Sequence, residues 1–275
     1  MEERNSNYQQ VYNAAEDEGL LSRVDIVICI LMQRSIYIAG FDNNKELLTI
    51  HYMGYNSDKA VWDLDFFEHT FAQEQLLKAR EKVKSVFIST DKNLVVPEAL
   101  YEEQAAKNWL GHIHYIEHTD IVTSYALADE QAQYIYAIPV KINELIKINF
   151  RKAAIAPLPF YHFCGSGKQS LHLQCCISND QASATLHNYS QLLWHKVFMC
   201  TNAEDIVYEV KHLCMENNIS PSKVSMVCNT TSAADYDLLN DLTQYYPGIK
   251  CGDKSTISNR WDPAISLAKQ LLACA

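Results

Sequence analysis

Residues 24–53 read VDIVICILMQRSIYIAGFDNNKELLTIHYM, and residues 170–199 read SLHLQCCISNDQASATLHNYSQLLWHKVFM. In the first stretch Val24 to Leu31 is short, continuous and rich in β-branched residues. That composition suits a strand buried on both faces. A polar break at Gln33-Arg34 precedes a second strand, Ser35 to Phe41. Asp42-Asn43-Asn44-Lys45 is a turn cluster, and Glu46 to Tyr52 makes a third strand. Three strands joined by short turns predict an antiparallel meander. The second stretch repeats the plan: Ser170 to Ile177, a break at Asn179-Asp180, Gln181 to His187, a turn at Asn188-Tyr189-Ser190, and Gln191 to Met199. Leu47-Leu48 falls against Leu192-Leu193 with one residue deleted in the second turn.

Each meander leads into helices alternating with strands. After the first come a helical segment from Lys59 to Lys82, a buried strand Val83 to Ser89, and a helix opened by Pro97 and running to Leu110. Ile121 to Leu127 and Gln133 to Ile138 read as an inserted hairpin. Val140 to Phe150 is a helix, Lys152 to Ala156 a short strand, and Pro157 to Cys164 a helix or irregular turn. After the second come a helix Asn202 to Glu216, a strand Val224 to Cys228, a helix Ser232 to Tyr246, a strand Ile249 to Cys251 and a final helix Asp262 to Leu272. The same order in both halves predicts a duplicated α/β unit, βββαβαβα, with helices on both faces of a mixed sheet. The expected divisions are a polar, loosely docked lead-in over 1–22, a first module over 23–166 with the hairpin near 121–138, and a second module over 167–275.

Two tandem units of this order resemble the actin-like ATPase fold, a duplicated ribonuclease-H-like module forming two lobes with a cleft between them. Within that fold the chain resembles an uncharacterised bacterial family of similar length. More distantly it is similar to the actin-like scaffold proteins of type II secretion and type IV pilus machines. The resemblance covers Val24 to Cys274 and rests on element order and the paired meanders. It implies that a nucleotide would sit between the two hairpin turns, each carrying Asp and then Gly so that backbone amides can approach phosphate. Here the first turn is Met32-Gln33-Arg34-Ser35, with neither residue, and the second is Ser178-Asn179-Asp180-Gln181, with one Asp and no Gly. None of the eight glycines lies in either turn. The fold-equivalent positions are Gln33, Arg34, Asn179 and Asp180, and no cofactor is expected on them.

Other motifs read as structural. Gly165-Ser166-Gly167-Lys168 has His162 and Gln169 where a phosphate loop needs Gly and Ser or Thr, and it precedes a strand. His112, His114 and His118 would share a face if their segment were one strand. They are weak metal candidates, because Ile113, Tyr115 and Ile116 compete for burial and Glu117 points away. A nuclease would need several acids from the first strand and its neighbours. Asp25 stands alone there, and Asp63 and Asp65 diverge on a helix. Trp62, Trp109, Trp194 and Trp261 read as core. Nine cysteines at irregular spacing, without a CxxC pair, suit buried thiols in a reducing compartment. A formal net charge of −10 and the lack of basic runs argue against nucleic acid. The acidic start has no signal-peptide core, and the longest apolar run, Ile26 to Met32, is too short to span a bilayer. The sequence therefore predicts a cytoplasmic, non-catalytic scaffold or adaptor that binds another protein through the 121–138 hairpin or an exposed meander edge, with no catalytic residues, nucleic-acid contact or membrane insertion. The alternative is a divergent ATPase or sugar-kinase-like enzyme holding ATP and Mg²⁺ in the cleft, with Arg34, Asn179 and Asp180 in substitute roles.

Overall fold

The computed structural model describes residues 7–15, 19–56, 60–127, 131–158, 171–189, 191–246, 248–250 and 259–275. In chain order the strands are β1 (Asn7–Asn13), β2 (Ile26–Met32), β3 (Ser35–Phe41), β4 (Leu47–Tyr55), β5 (Val83–Ile88), β6 (Asn93–Pro97), β7 (Asp120–Leu127), β8 (Ala132–Pro139), β9 (Ala154–Pro157), β10 (His172–Ser178), β11 (Gln181–Asn188), β12 (Gln191–Met199) and β13 (Ser225–Thr230). The helices are α1 (Leu64–Gln73), α2 (Gln75–Lys78), α3 (Ala106–Gly111), α4 (Val140–Asn149), α5 (Ala203–Glu216), α6 (Tyr236–Tyr245) and α7 (Asp262–Cys274).

The duplication is visible in the pairing. One sheet has the order β1-β4-β3-β2-β5-β9 and another β12-β11-β10-β13. In each, a meander is antiparallel and its first strand pairs in parallel with the strand that follows the helices, β2 with β5 and β10 with β13. Lys250 bridges Val227 in parallel where β9 flanks β5 in the first sheet.

β2 is buried on both faces as its composition requires, and alternate residues feed two cores. Val27, Cys29 and Leu31 pack with Phe66, Phe67 and Phe71 of α1 and with Ile142 and Ile146 of α4. Ile28, Ile30 and Met32 pack with Ala264, Leu267, Ala268 and Leu271 of α7. The last helix of the chain thus covers the first sheet, and Tyr37 Oη donates to Ala264 O at 2.9 Å across that contact. The second sheet packs Leu173, Cys175, Ile177 and Leu186 under α5 and α6. Its opposite face is polar, with His172, Gln174, Thr185 and His187. Burial pushes His187 down to about 4 and His195 to about 3. Cys29, Cys175, Cys200 and Cys214 are free and buried; Cys176 and Cys228 are buried, and Cys274 is half-buried. Cys164 and Cys251 lie outside the described residues, as do Lys59, Ala128-Asp129-Glu130, His162, the Gly165-Ser166-Gly167-Lys168 segment, Gln169, Ser170 and Ser190.

Several expectations are corrected. Asn7–Asn13 is not loosely docked: it pairs along its whole length with β4. The helix expected from Lys59 breaks at Glu74, which is extended and accepts from Leu76 N and the His51 ring. Trp62 precedes the helix with φ 58° and is buried. Pro97 opens only a single 3-10 turn, Glu98–Leu100, and not the expected helix to Leu110. It closes β6, whose β-branched Val95 and Val96 pair with β8, and only short turns and α3 follow. The 121–138 hairpin is present as β7 and β8, with β6 making it a separate three-stranded sheet. The helix expected from Ser232 starts at Tyr236, because residues 231–235 make a polar turn.

Candidate functional site

The turns β2–β3 and β10–β11 face each other across the two lobes, and Gln33, Arg34, Asn179 and Asp180 all lie in them. The Arg34 guanidinium donates to Asp180 Oδ2 at 2.5 Å, both side chains being largely shielded from water. Gln33 is buried. Its Nε2 donates to Asp91 Oδ1 at 2.6 Å, while its carbonyl accepts from Trp62 N and Tyr55 Oη, each at 2.8 Å. Asn179 has φ 51°, the left-handed region in which Asn is the best tolerated residue after glycine. Its amide donates to Asp235 Oδ1 at 2.8 Å. Gln181, next in the turn after Asp180, donates from Nε2 to Ser89 Oγ of the other lobe at 2.6 Å.

The two halves use equivalent positions. Ser89 N donates to Leu31 O just past β5, and Thr231 N donates to Ile177 O just past β13. A carboxylate follows each of these corners, Asp91 in one lobe and Asp235 in the other, and each holds its own lobe's hairpin turn. Asp235 also accepts from Ser232 Oγ at 2.8 Å. Thr231 Oγ1 donates to Ser178 Oγ at 2.8 Å, which ties the corner to the turn. Asp235 is buried, and desolvation pushes its carboxyl up to about 6 against the hydrogen bonds that favour the anion.

Asp91, Ser89, Ser232 and Asp235 were not singled out in the sequence. Ser232-x-x-Asp235 has the spacing of a helix-capping pair, which is the one local signal for that corner. The other candidates are scattered. His112, His114 and His118 do not share a strand face, because α3 ends at Gly111 and turns follow. The His114 ring contacts Asn93 O at 3.0 Å. Asp63 caps α1 by accepting from Asp65 N, and Asp25 lies 3.9 Å from Lys82 Nζ. Trp62 is in the core, whereas Trp109 is 37% exposed. Among the described residues, no three His, Cys, Asp or Glu side chains are grouped to hold a metal ion, and no helix is long and apolar enough to cross a membrane.

The family model described as "Protein of unknown function (DUF3822)" matches residues 29–249. No curated protein matches the chain. A Bacteroides thetaiotaomicron protein described as having an actin-like ATPase fold and unknown function is 15% identical, with a TM-score of 0.72 over 95% of this chain and 100% of that one. The PilM-PilN type IV pilus biogenesis complex contains a chain 12% identical, with a TM-score of 0.56 over 92% of this chain and 98% of that one. The cytoplasmic domain of EpsL, an inner membrane component of the Vibrio cholerae type II secretion system, is 7% identical, with a TM-score of 0.47 over 91% and 95%. The fold is the actin-like ATPase fold.

Proposed function

The chain belongs to the DUF3822 family of proteins of unknown function, and from its cleft we propose that it is a cytoplasmic, non-catalytic scaffold or adaptor that binds another protein. One observation carries this reading: the groups that would face phosphate between the hairpins are already engaged by the protein's own carboxylates. Arg34 is paired with Asp180, and the Asn179 amide donates to Asp235. A triphosphate would have to displace both acceptors in a partly buried setting. Leaving a buried polar partner unpaired costs about 1–3 kcal/mol each time, and more for a charge. Gln33 and Arg34 carry side chains, bonded to Asp91 and Asp180, where backbone-only contact with phosphate calls for glycine.

The likeness in fold to a chain of a named two-protein pilus complex supports partner binding as the alternative use of the scaffold. The candidate surface is the inserted β6-β8-β7 sheet together with the open edge of the second meander, β12. A groove between β6 and β12, lined by Leu94, Val95, Leu193 and Trp194, joins the two.

The test is thermal unfolding of the full chain with millimolar Mg-ATP and Mg-ADP. A ligand at 100 times its Kd adds about 2.7 kcal/mol to stability. The midpoint is expected not to move with either nucleotide. A nucleotide-specific rise that Arg34→Ala abolishes would establish a working cleft and overturn the proposal.

A further inference from the structure

The outer edge of the six-stranded sheet is β1, Asn7-Tyr8-Gln9-Gln10-Val11-Tyr12-Asn13. It contains no charge, no proline and no glycine, and it pairs with β4 without a register shift. Soluble proteins ordinarily protect an edge with Lys, Pro, a bulge or a covering element. Here Asn7, Gln9, Val11 and Asn13 are exposed, Val11 to 43%.

The backbone groups on the open side follow from the ladder. Ala14 N donates to Leu48 O at 2.8 Å, so Asn13 and Thr49 form a non-hydrogen-bonded pair. By the two-residue alternation, Tyr8, Gln10 and Tyr12 bond to β4. The N–H and C=O groups of Asn7, Gln9, Val11 and Asn13 point away from the sheet.

The strand is also nearly a palindrome. Reversal exchanges Asn7 with Asn13 and Tyr8 with Tyr12, and it leaves Gln10 in place. We propose that a second copy of this chain adds to β1 antiparallel, about a twofold axis at Gln10, so that the sheet runs on through both copies. The parity agrees: Gln9 meets Val11 of the second copy and Asn7 meets its Asn13, so outward groups face outward groups throughout. About eight main-chain hydrogen bonds result. On the half-buried face Tyr8 meets Tyr12, an aromatic cross-strand pair, and an uncharged strand sets no like charges against each other in a chain of net charge −10. The closed, isologous contact ends assembly at two copies. This inference does not rest on the reading of the cleft.

Sedimentation or light scattering of the full chain, from micromolar to hundreds of micromolar, tests it. The expected mass rises with concentration from 31.4 kDa towards twice that value. Val11→Pro removes only an outward N–H, which an edge strand tolerates, so it should leave the circular dichroism and dilute unfolding midpoint unchanged while weakening dimerisation at least tenfold. Gln9→Lys with Val11→Lys places lysines opposite each other across the axis and should give a monomer. Gln9→Glu with Val11→Lys places opposite charges there and should restore the dimer. A wild-type monomer at every concentration, or a dimer indifferent to all three variants, would overturn the proposal.

Discussion

Asp235 is a carboxylate buried beneath the second hairpin turn, and replacing it with Asn tests how that corner is held. The side chain keeps its shape: Asn Oδ1 can still accept from the Asn179 amide, and Nδ2 can donate to Ser232 Oγ. What changes is the proton. In the folded chain desolvation raises the Asp235 carboxyl from 3.8 to about 6. The folded state therefore binds this proton more tightly than the unfolded state does. Its stabilising contribution is full below about pH 3.8 and is lost as pH rises through 6. The whole loss is about 3 kcal/mol, at about 1.4 kcal/mol per pH unit, and about 2.5 kcal/mol of it falls between pH ~4 and ~7.5.

Asp235→Asn carries no titrating proton, so its stability relative to wild type should climb by about 2.5 kcal/mol over that range. The comparison must be a difference between the two proteins. His187 and His195, held low by burial, contribute stability above their unfolded value of 6.5 that is lost as pH falls towards about 4 and about 3. Their slope opposes that of Asp235 but is common to both chains. Urea unfolding at half-unit pH steps gives the two curves. A difference that stays flat with pH would mean that burial does not control this carboxyl. One that falls as pH rises would mean that the turn stabilises the anion, and the argument from desolvation would be refuted.

Two further outcomes test the packing. An ideal Cβ at Gly54 would lie 2.7 Å from Tyr8 Oη. Gly54→Ala should therefore push Tyr8 off β4, cost about 1–3 kcal/mol and speed hydrogen exchange of the Tyr8, Gln10 and Tyr12 amides ahead of those in β3. Leu267 of α7 is fully buried against the first sheet, although it lies at the end of the chain. Leu267→Ala should cost about 2–5 kcal/mol and lower one unfolding transition seen by probes in both lobes, whereas separate transitions would show that α7 does not join them.

The meanders were legible because each strand carries its own pattern over a few residues. Ser35 to Phe41 and Gln191 to Met199 match their strands residue for residue. Arg34 and Asp180 were legible as turn residues but not as a pair. They are 146 positions apart, and only the meeting of the two lobes brings them together. Asp91 and Asp235 were hidden for the same reason, lying 58 and 56 residues from the turns they hold. β1 was missed because Asn and Gln dominate it. Its alternation sets half-buried Tyr8, Gln10 and Tyr12 against exposed Asn7, Gln9, Val11 and Asn13, which a hydrophobic pattern does not register. Pro97 misled because proline suits both a first helical turn and the end of an edge strand. The valines before it, pairing with β8, decided between them.

Duplication gives both lobes the same meander, yet the two free edges are treated differently. In the first lobe β4 is covered by β1, so the exposed edge is a neutral strand with an unbroken register. In the second lobe the edge is β12. There the ladder with β11 slips between Leu186 and His187, and Lys196, tied to Glu209, stands exposed on the strand. A bulge and a lysine are the devices that discourage indiscriminate strand pairing. They make β12 poorly suited to pairing with its own copy, and under the proposed function its groove with β6 is where another protein would dock. β1 lacks both and nearly matches its own reverse. If the two edges are used, self-association belongs to the first lobe and a different protein to the second. Val11→Pro should then weaken the dimer without touching partner binding at β12.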